Sequence, residues 1–172
     1  MCGVPFHAAD GYINRLVKKG YKVAICEQVE DPKLAKGIVK REVIRVVTPG
    51  TNIDMQSLDE AKNNYLMCIV YLADKYGIAT TDVTTGDFFV TEVDSERKLL
   101  DELNRFAPSE IICNEPFYMS GIDIEDMKNR MNIAVSSLDS WYFGDETARE
   151  TSRMHFHIQS LLGLGLEDYD CG

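Results

Sequence analysis

Basic side chains beside an apolar run could contact the phosphates of a nucleic acid. Lys40 and Arg41 precede a stretch rich in valine and isoleucine, and Arg45 lies within it. Contacts between such side chains and phosphate oxygens position a protein on a duplex without reading its bases. A strand edge that is merely solvated would show the same pattern, so both interpretations stay open.

The opening loop offers a different kind of contact. Met1, Gly3, Val4 and Pro5 combine a small residue with a rigid, apolar edge. A glycine lets the backbone approach another surface closely, and apolar wedges are common in proteins that bind the minor groove. A tight loop leading into a helix would need the same residue types, so a purely structural role also stays open.

Charge divides the chain into two unequal parts. The net charge is −10, but residues 1–51 hold nine basic and five acidic residues, a balance of +4. The remainder holds nine basic and 23 acidic residues, a balance of −14. Phosphate binding depends on local positive charge. The sequence therefore favours the first part as a nucleic-acid surface and the acidic remainder as a surface that faces protein.

The elements that must hold the basic residues are predicted to be one helix and two strands. Asp10 is placed to cap a helix whose apolar residues share one face, and Gly20 is placed to end it. Residues 22–27 and 42–48, the latter rich in valine and isoleucine, predict the strands. Residues 1–51 are therefore expected to form part of a mixed α/β domain.

A second domain is predicted at residues 63–172, after a polar linker at residues 52–62. Its apolar runs and turn residues give the order β-β-β-α-β-α-β-α, which is also the order of ribonuclease H-like folds. The strands are expected at residues 65–72, 78–83, 88–93, 111–113 and 133–135, and the helices between Ser95 and Pro108, at 124–131 and at 147–157.

This order raises the alternative of a metal-dependent nuclease. A two-metal nuclease of that architecture needs a carboxylate inside the first strand of the sheet, with others converging on it. Residues 65–72 contain no carboxylate, and the fourth strand offers Glu110 only at its entrance. We therefore predict no catalytic residue and no metal site, while a nuclease and a pure protein-interaction module remain the alternatives.

Apolar and cysteine patterns bear on packing and location. The cluster of Trp141, Tyr142 and Phe143 predicts core that closes over the sheet. The five cysteines are scattered and form no C-x-x-C pair, which predicts reduced, structural thiols. No apolar run reaches the length of a membrane span, so a cytoplasmic protein without membrane contact is expected.

Several segments resemble the MutS family of DNA mismatch-repair proteins. In the first part they are Gly3-Val4-Pro5-Phe6-His7-Ala8, Val23-Ala24-Ile25-Cys26-Glu27-Gln28-Val29-Glu30-Asp31-Pro32 and Val46-Val47-Thr48-Pro49-Gly50-Thr51. In the second part Asn63-Asn64-Tyr65-Leu66 and Thr81-Asp82-Val83-Thr84-Thr85-Gly86-Asp87-Phe88 resemble the start of the MutS connector domain. The resemblance covers essentially the whole chain. It implies the C-terminal half of a mismatch-binding domain followed by a ribonuclease H-like connector.

The resemblance also implies a parent protein with a known set of partners. MutS-type proteins bind mispaired or looped duplex DNA, act as homodimers that use ATP and Mg²⁺, and signal to MutL. This part would lack the ATPase and need no cofactor, and the parent would associate with the nucleoid. The family inserts a phenylalanine of a Phe-x-Glu motif beside the mispaired base. None of the seven phenylalanines here has Glu two positions later, so the chain is expected to begin inside the domain.

The resemblance assigns expected roles to individual residues. The loop from Met1 to Pro5 would lie near the minor groove. Lys40, Arg41 and Arg45 would contact the DNA backbone or pack within their strand. A helix around Glu150 and Thr151 would be exposed and would face a partner protein.

Overall fold

The structure is a computed structural model that describes residues 3–33, 35, 37–53 and 62–171. Met1 and most of the expected linker, residues 54–61, lie outside the described residues. The chain is a mixture of helices and strands, so the predicted α/β class is confirmed. Its first part contains helix α1 (Ala9–Val17) and strands β1 (Val23–Gln28) and β2 (Arg41–Val47), with short 3-10 turns at Phe6–Ala8 and Pro49–Thr51.

Helix α1 ends as the sequence predicts but begins differently. The 3-10 turn Phe6–Ala8 leads directly into it, so Asp10 lies within its first turn and does not cap it. The helical conformation already begins before Asp10. Because Asp10 lies in the first turn of α1, its carboxylate still interacts favourably with the positive end of the helix dipole. Gly20 adopts a φ of 83° and donates its N–H to the Val17 carbonyl at 2.8 Å. This left-handed conformation favours glycine and ends the helix.

The second part contains five strands and four helices within the described residues. They are β3 (Tyr65–Leu72), β4 (Lys75–Asp82), β5 (Asp87–Val93), α2 (Glu96–Phe106), β6 (Glu110–Cys113), α3 (Glu115–Tyr118), α4 (Ile124–Asn129), β7 (Ala134–Ser137) and α5 (Asp145–Phe156). All the predicted elements appear, with ends that move by a few residues. Helix α3 was not predicted, because four residues carry too little periodicity to be recognised. No described helix has the length and apolarity needed to cross a bilayer.

The five strands form one mixed sheet in the order β5-β4-β3-β6-β7. Strands β3, β4 and β5 form an antiparallel meander, whereas β6 and β7 run parallel to β3. The parallel connection from β5 to β6 is made through α2. Strand β3 lies at the centre with neighbours on both edges, which explains its unbroken apolar sequence.

The core lies between one face of this sheet and helices α2, α3 and α4. Alternate residues of a strand point to the same face, and Met67 and Ile69 of β3 are both fully buried there. Burial of each such side chain contributes on the order of 2 kcal/mol. The cluster comprises Met67, Ile69, Tyr76, Ile78, Leu99, Leu103, Ile111, Cys113, Phe117, Ile124, Met127 and Ile133.

The opposite face of the sheet is covered less tightly. A cavity of about 390 Å³ separates Cys68 and Val70 from α5 and the 3-10 turn Leu161–Leu164. The predicted core cluster at the start of α5 was wrong, because Trp141 is 63% exposed and stacks on the exposed ring of Tyr142 at 3.6 Å. A run of aromatic residues is locally apolar, but its sequence does not tell which rings the tertiary fold covers.

Candidate nucleic-acid interface

The basic strand predicted from the sequence belongs to a two-stranded antiparallel ribbon. Strand β1 pairs with β2 so that Gln28 lies opposite Arg41 and Ile25 lies opposite Arg45. Between these pairs the register shifts after Ile25, a bulge that bends the ribbon and increases its twist. Arg41 therefore lies at one end of the ribbon, and Arg45 lies roughly 13 Å from it along the strand.

The basic pair at the start of β2 is exposed and interacts mainly with nearby groups. The Lys40 ammonium lies 2.6 Å from an oxygen of Glu42, and both side chains are largely exposed. The Arg41 guanidinium donates to the carbonyl of Val39 at 3.3 Å. Exposed ion pairs of this kind contribute at most about 1 kcal/mol, but Glu42 offsets part of the positive charge that Lys40 would offer to a phosphate.

Arg45 faces a separate hollow between the ribbon and helix α1. The hollow has a volume of about 230 Å³ and is lined by Asp10, Ile13, Asn14, Ile25, Arg45, Val47, Asn52 and Ile53. Asp10 is the acidic member of this lining, so the positive charge of Arg45 is partly offset there. The structure therefore does not bring Arg45 together with Lys40 and Arg41 in a single cluster.

The opening loop is exposed over the residues that the structure describes. Gly3, Val4 and Pro5 all lie at the surface. The Pro5 carbonyl accepts the N–H of Ala8 at 2.9 Å, which anchors the loop to the following turn. Phe6, the first residue of the following 3-10 turn, is 88% exposed, and the sequence interpretation did not single it out.

A denser group of basic side chains lies in a cleft between the two parts of the chain. The cleft has a volume of about 630 Å³, and its lining includes Lys18, Lys19 and Lys22 from the first part and Lys128 from α4. None of the described residues that line it is acidic. Asparagine and serine residues also line the cleft: Asn52, Asn64, Asn129, Asn132, Ser109 and Ser136. The cleft is therefore suited to an anionic ligand.

Sequence reasoning did not identify this cleft as a site. Lys18 and Lys19 directly follow helix α1, where basic residues are favourable in any helix, so their type and position do not indicate a ligand. Lys128 stands in the strongly acidic part of the sequence, 106 positions from Lys22. Only the folded arrangement brings these ammonium groups to one cleft.

Family models account for both parts of the chain. The model of MutS domain I matches residues 1–56, and the model of MutS domain II matches residues 64–171. The chain belongs to the MutS family.

Individual MutS proteins are similar to the chain along nearly all of its length. DNA mismatch repair protein MutS of Lachnoclostridium phytofermentans is 60% identical over 172 residues, which are 100% of this chain and 18% of that protein. The proteins of the same name from Ruminiclostridium cellulolyticum and Acetivibrio thermocellus are each 50% identical, over 99% and 91% of this chain and 20% and 18% of their own lengths. The chain thus spans about a fifth of the length of these MutS relatives.

The carboxylate considered for a nuclease site has a different set of contacts in this MutS chain. Glu110, at the start of β6, accepts the N–H of Gly50 at 3.0 Å, and its other oxygen lies 3.6 Å from the Lys22 ammonium. Both oxygens thus contact groups of the part matched by MutS domain I. Among the described residues, no group of three or more His, Cys, Asp or Glu side chains could hold a metal ion.

The expected partner-facing residues lie on helix α5 of the part matched by MutS domain II. Glu150 and Thr151 are both exposed, as the sequence interpretation required of such a patch. Arg149 beside them forms ion pairs with Asp145 at 2.8 Å and with Glu167 at 3.7 Å. The second pair connects helix α5 to the segment around Glu167 that follows it.

Proposed function

We propose that this chain supplies a DNA-facing surface and the connector of a MutS-type mismatch-repair protein. The observation that carries the proposal is the cleft lined by Lys18, Lys19, Lys22 and Lys128. Lys18 and Lys19 are exposed there, whereas the ammonium of Lys22 lies 3.6 Å from Glu110 and that of Lys128 lies 4.0 Å from Glu125. Three of these lysines belong to the part matched by MutS domain I, whose charge balance is positive. Local positive charge of this kind attracts a duplex even when the whole chain is acidic.

The proposed contacts would position DNA without reading its sequence. Lysine is a mobile point charge that contacts phosphates, whereas base readout needs side chains that reach the edges of the bases. Lys40, Arg41 and Arg45 on the ribbon would extend the backbone contacts, and Gly3, Val4 and Pro5 would approach the minor groove. We assign no mismatch recognition to these residues, because a Phe-x-Glu motif does not occur in this sequence.

The second part is proposed to act as a ribonuclease H-like connector without catalysis. The mixed five-stranded sheet with its central strand β3 is compatible with that fold. The exposed positions Glu150 and Thr151 are the proposed contact for MutL. Signalling to MutL, homodimer formation and the use of ATP and Mg²⁺ are proposed for the whole protein, of which this chain supplies two domains.

Fluorescence anisotropy with labelled duplexes at several salt concentrations tests the DNA-binding proposal. We expect weak binding that falls steeply as salt rises and that is equal for matched and mismatched duplexes. A variant in which Lys18 and Lys19 are both replaced by Gln should bind more weakly, whereas Lys98→Gln on α2 should not. Binding that ignores salt would contradict the proposal, and a strong preference for mismatches would contradict its assignment of positioning without recognition.

A further inference from the structure

Glu110 is a buried acidic residue at the boundary between the ribbon and the sheet. It opens strand β6 and is only 2% exposed. One carboxylate oxygen accepts the backbone N–H of Gly50 at 3.0 Å. The other lies 3.6 Å from the ammonium of Lys22, which also donates to the Ser136 hydroxyl at 3.0 Å. A single side chain of the sheet therefore contacts both strand termini at one end of the ribbon, the residue before β1 and the turn after β2.

The same turn is held from a second direction by Asn64. Its side-chain amide donates to the carbonyl of Pro49 at 2.9 Å and to that of Asn52 at 3.3 Å. Its carbonyl oxygen accepts the Ser109 hydroxyl at 2.5 Å, next to Glu110 in sequence. Every polar atom of the Asn64 side chain is thus engaged at this boundary.

Gly50 allows the turn to approach the sheet closely. A Cβ atom at this position would lie 3.0 Å from the Cβ of Leu66 and 3.1 Å from the Cβ of Glu110. Both neighbouring atoms are attached directly to the backbone, so no side-chain rotation could relieve the contact. Any larger residue would push the turn away from β3 and β6 and would lengthen the hydrogen bond from Gly50 to Glu110.

The burial of Glu110 makes these contacts obligatory. A carboxylate removed from water without partners is strongly destabilising, and hydrogen bonds to a charged group are stronger than those between neutral groups. Rotation of the ribbon away from the sheet would remove both the Gly50 N–H and the Lys22 ammonium at once. Movement of the ribbon relative to the sheet is therefore opposed by the free-energy cost of leaving the Glu110 carboxylate buried without a partner.

We propose that Glu110 is a positioning residue that fixes the orientation of the β1–β2 ribbon relative to the five-stranded sheet. It acts through the Gly50 N–H and the Lys22 ammonium. Gly50 serves it by bringing the turn within hydrogen-bonding distance. The coupling does not depend on DNA binding, so it stands or falls separately from the proposed function.

Residual dipolar couplings of the ¹⁵N-labelled 172-residue chain test this proposal directly. One alignment tensor should fit the amides of β1 and β2 together with those of β3, β4 and β6. In Glu110→Ala the two sets should need different tensors, with weaker alignment of the ribbon, while each set still fits its own internal geometry. This readout distinguishes orientation from stability, because a residue that only stabilised the sheet would leave the common tensor intact.

Two further variants isolate the contacts. Glu110→Gln keeps a carbonyl oxygen that can accept the Gly50 N–H, so the common tensor should be retained. Gly50→Leu leaves the carboxylate in place, but its side chain would be driven against Leu66 and Glu110 and would displace the turn, so the common tensor should be lost. Glu115→Ala removes an exposed carboxylate nearby and serves as the control that changes nothing.

The outcomes decide the proposal in each case. It is overturned if the unmodified chain already needs two tensors, or if Glu110→Ala retains one. If Glu110→Ala does not fold, Gly50→Leu decides alone: separate tensors support the coupling, and a single tensor overturns it.

Discussion

The buried carboxylate of Asp82 accepts a hydrogen bond from the backbone N–H of Asn64 at 2.9 Å. Its other oxygen accepts the N–H and the hydroxyl of Thr84 at 2.8 and 2.6 Å. Burial alone would raise the pKa of Asp82, but these hydrogen bonds together hold it below its ordinary value. One side chain thus joins the beginning of β3 to the turn that follows β4.

Replacement of Asp82 by Asn should destabilise the connector sheet. The amide group presents N–H donors toward the N–H groups of Asn64 and Thr84, so at least one buried donor loses its acceptor. The expected loss is about 1–3 kcal/mol in the free energy of unfolding, measured by urea denaturation. Asp101→Asn, at an exposed position of α2, should change stability by less than about 0.5 kcal/mol. Equal effects of the two substitutions would contradict this account.

The sequence predicted the elements of the sheet because their patterns are local. The apolar run of β3 was assigned with the bounds that the structure has, Tyr65–Leu72. The turn residues around Gly86 and Pro108 separated the elements that follow. The family resemblance rested on contiguous segments and is confirmed by the models of MutS domains I and II.

The contacts between elements could not be predicted in the same way. Glu110 was recognised as a carboxylate at a strand entrance, but its partners Gly50 and Lys22 are 60 and 88 positions away in sequence. Lys128 joins the basic cleft only because the fold brings the end of α4 to the same cleft as residues 18, 19 and 22. The prediction that Trp141 belongs to the core was wrong. The apolar character of a ring indicates that its burial is favourable, but it does not indicate whether other elements of the fold pack over it.

The segment that contains Asp170 and Cys171 should detach from the sheet in acid. Glu92 on β5 lies 2.9 Å from the Lys75 ammonium and accepts the N–H groups of Asp170 and Cys171 at 2.9 and 3.1 Å. The Lys75 contact, opposed by burial and aided by these N–H groups, lowers the pKa of Glu92 from 4.5 to about 2. A lowered pKa in the folded state stabilises the fold above pH 4.5, and this contribution is lost as the pH falls toward 2.

Urea denaturation of the unmodified chain and of Glu92→Gln across this range measures the effect. The difference in the free energy of unfolding should be constant above pH 5 or so and should shrink as the pH falls from 4.5 toward 2. The amide signal of Cys171 should shift over the same range. A difference that does not vary with pH would contradict the role given to Glu92.

The cysteines should differ sharply in reactivity toward iodoacetamide. Burial raises the pKa of Cys113 to about 12 and that of Cys68 to about 11, from an ordinary value of 9.0. Two units of pKa leave about a hundredfold less thiolate, which is the reactive form. Cys26 on β1 is exposed. Mass spectrometry of peptides should therefore find Cys26 modified long before Cys68 and Cys113, and comparable rates would contradict the burial described.

Salt dependence should separate the cleft from the ribbon as sources of DNA affinity. Each lost phosphate contact lowers the slope of log K against log salt by about 0.9. Replacing Lys18 and Lys19 together by Gln should therefore lower the slope more than replacing Lys40 and Arg41 together, because Glu42 already neutralises Lys40. Anisotropy titrations at four or more salt concentrations, with Lys98→Gln as the control, measure the slopes. Unchanged slopes in both double variants would show that these four residues do not contact DNA phosphates.

Hydrogen exchange should reveal lower local stability in the ribbon than in the sheet. The ribbon has two strands, and the side chains of Val43, Ile44 and Val46 on β2 are each more than half exposed. Two strands that bury so little apolar surface are only marginally stable in water, whereas β3 is paired on both edges and packs against the buried core. The amides of β1 and most of β2 should therefore exchange faster than those of β3.

The gradient within the ribbon is the sharper part of this prediction. The contacts of Gly50 and Lys22 with Glu110 anchor the end of the ribbon where Val47 is buried, and the end near Arg41 has no comparable anchor in the described residues. Protection should therefore fall from Val47 toward Arg41, and Glu110→Ala should abolish this gradient without changing exchange in β3. Uniform strong protection along both strands would mean that the ribbon is stabilised by something other than its anchor on the sheet.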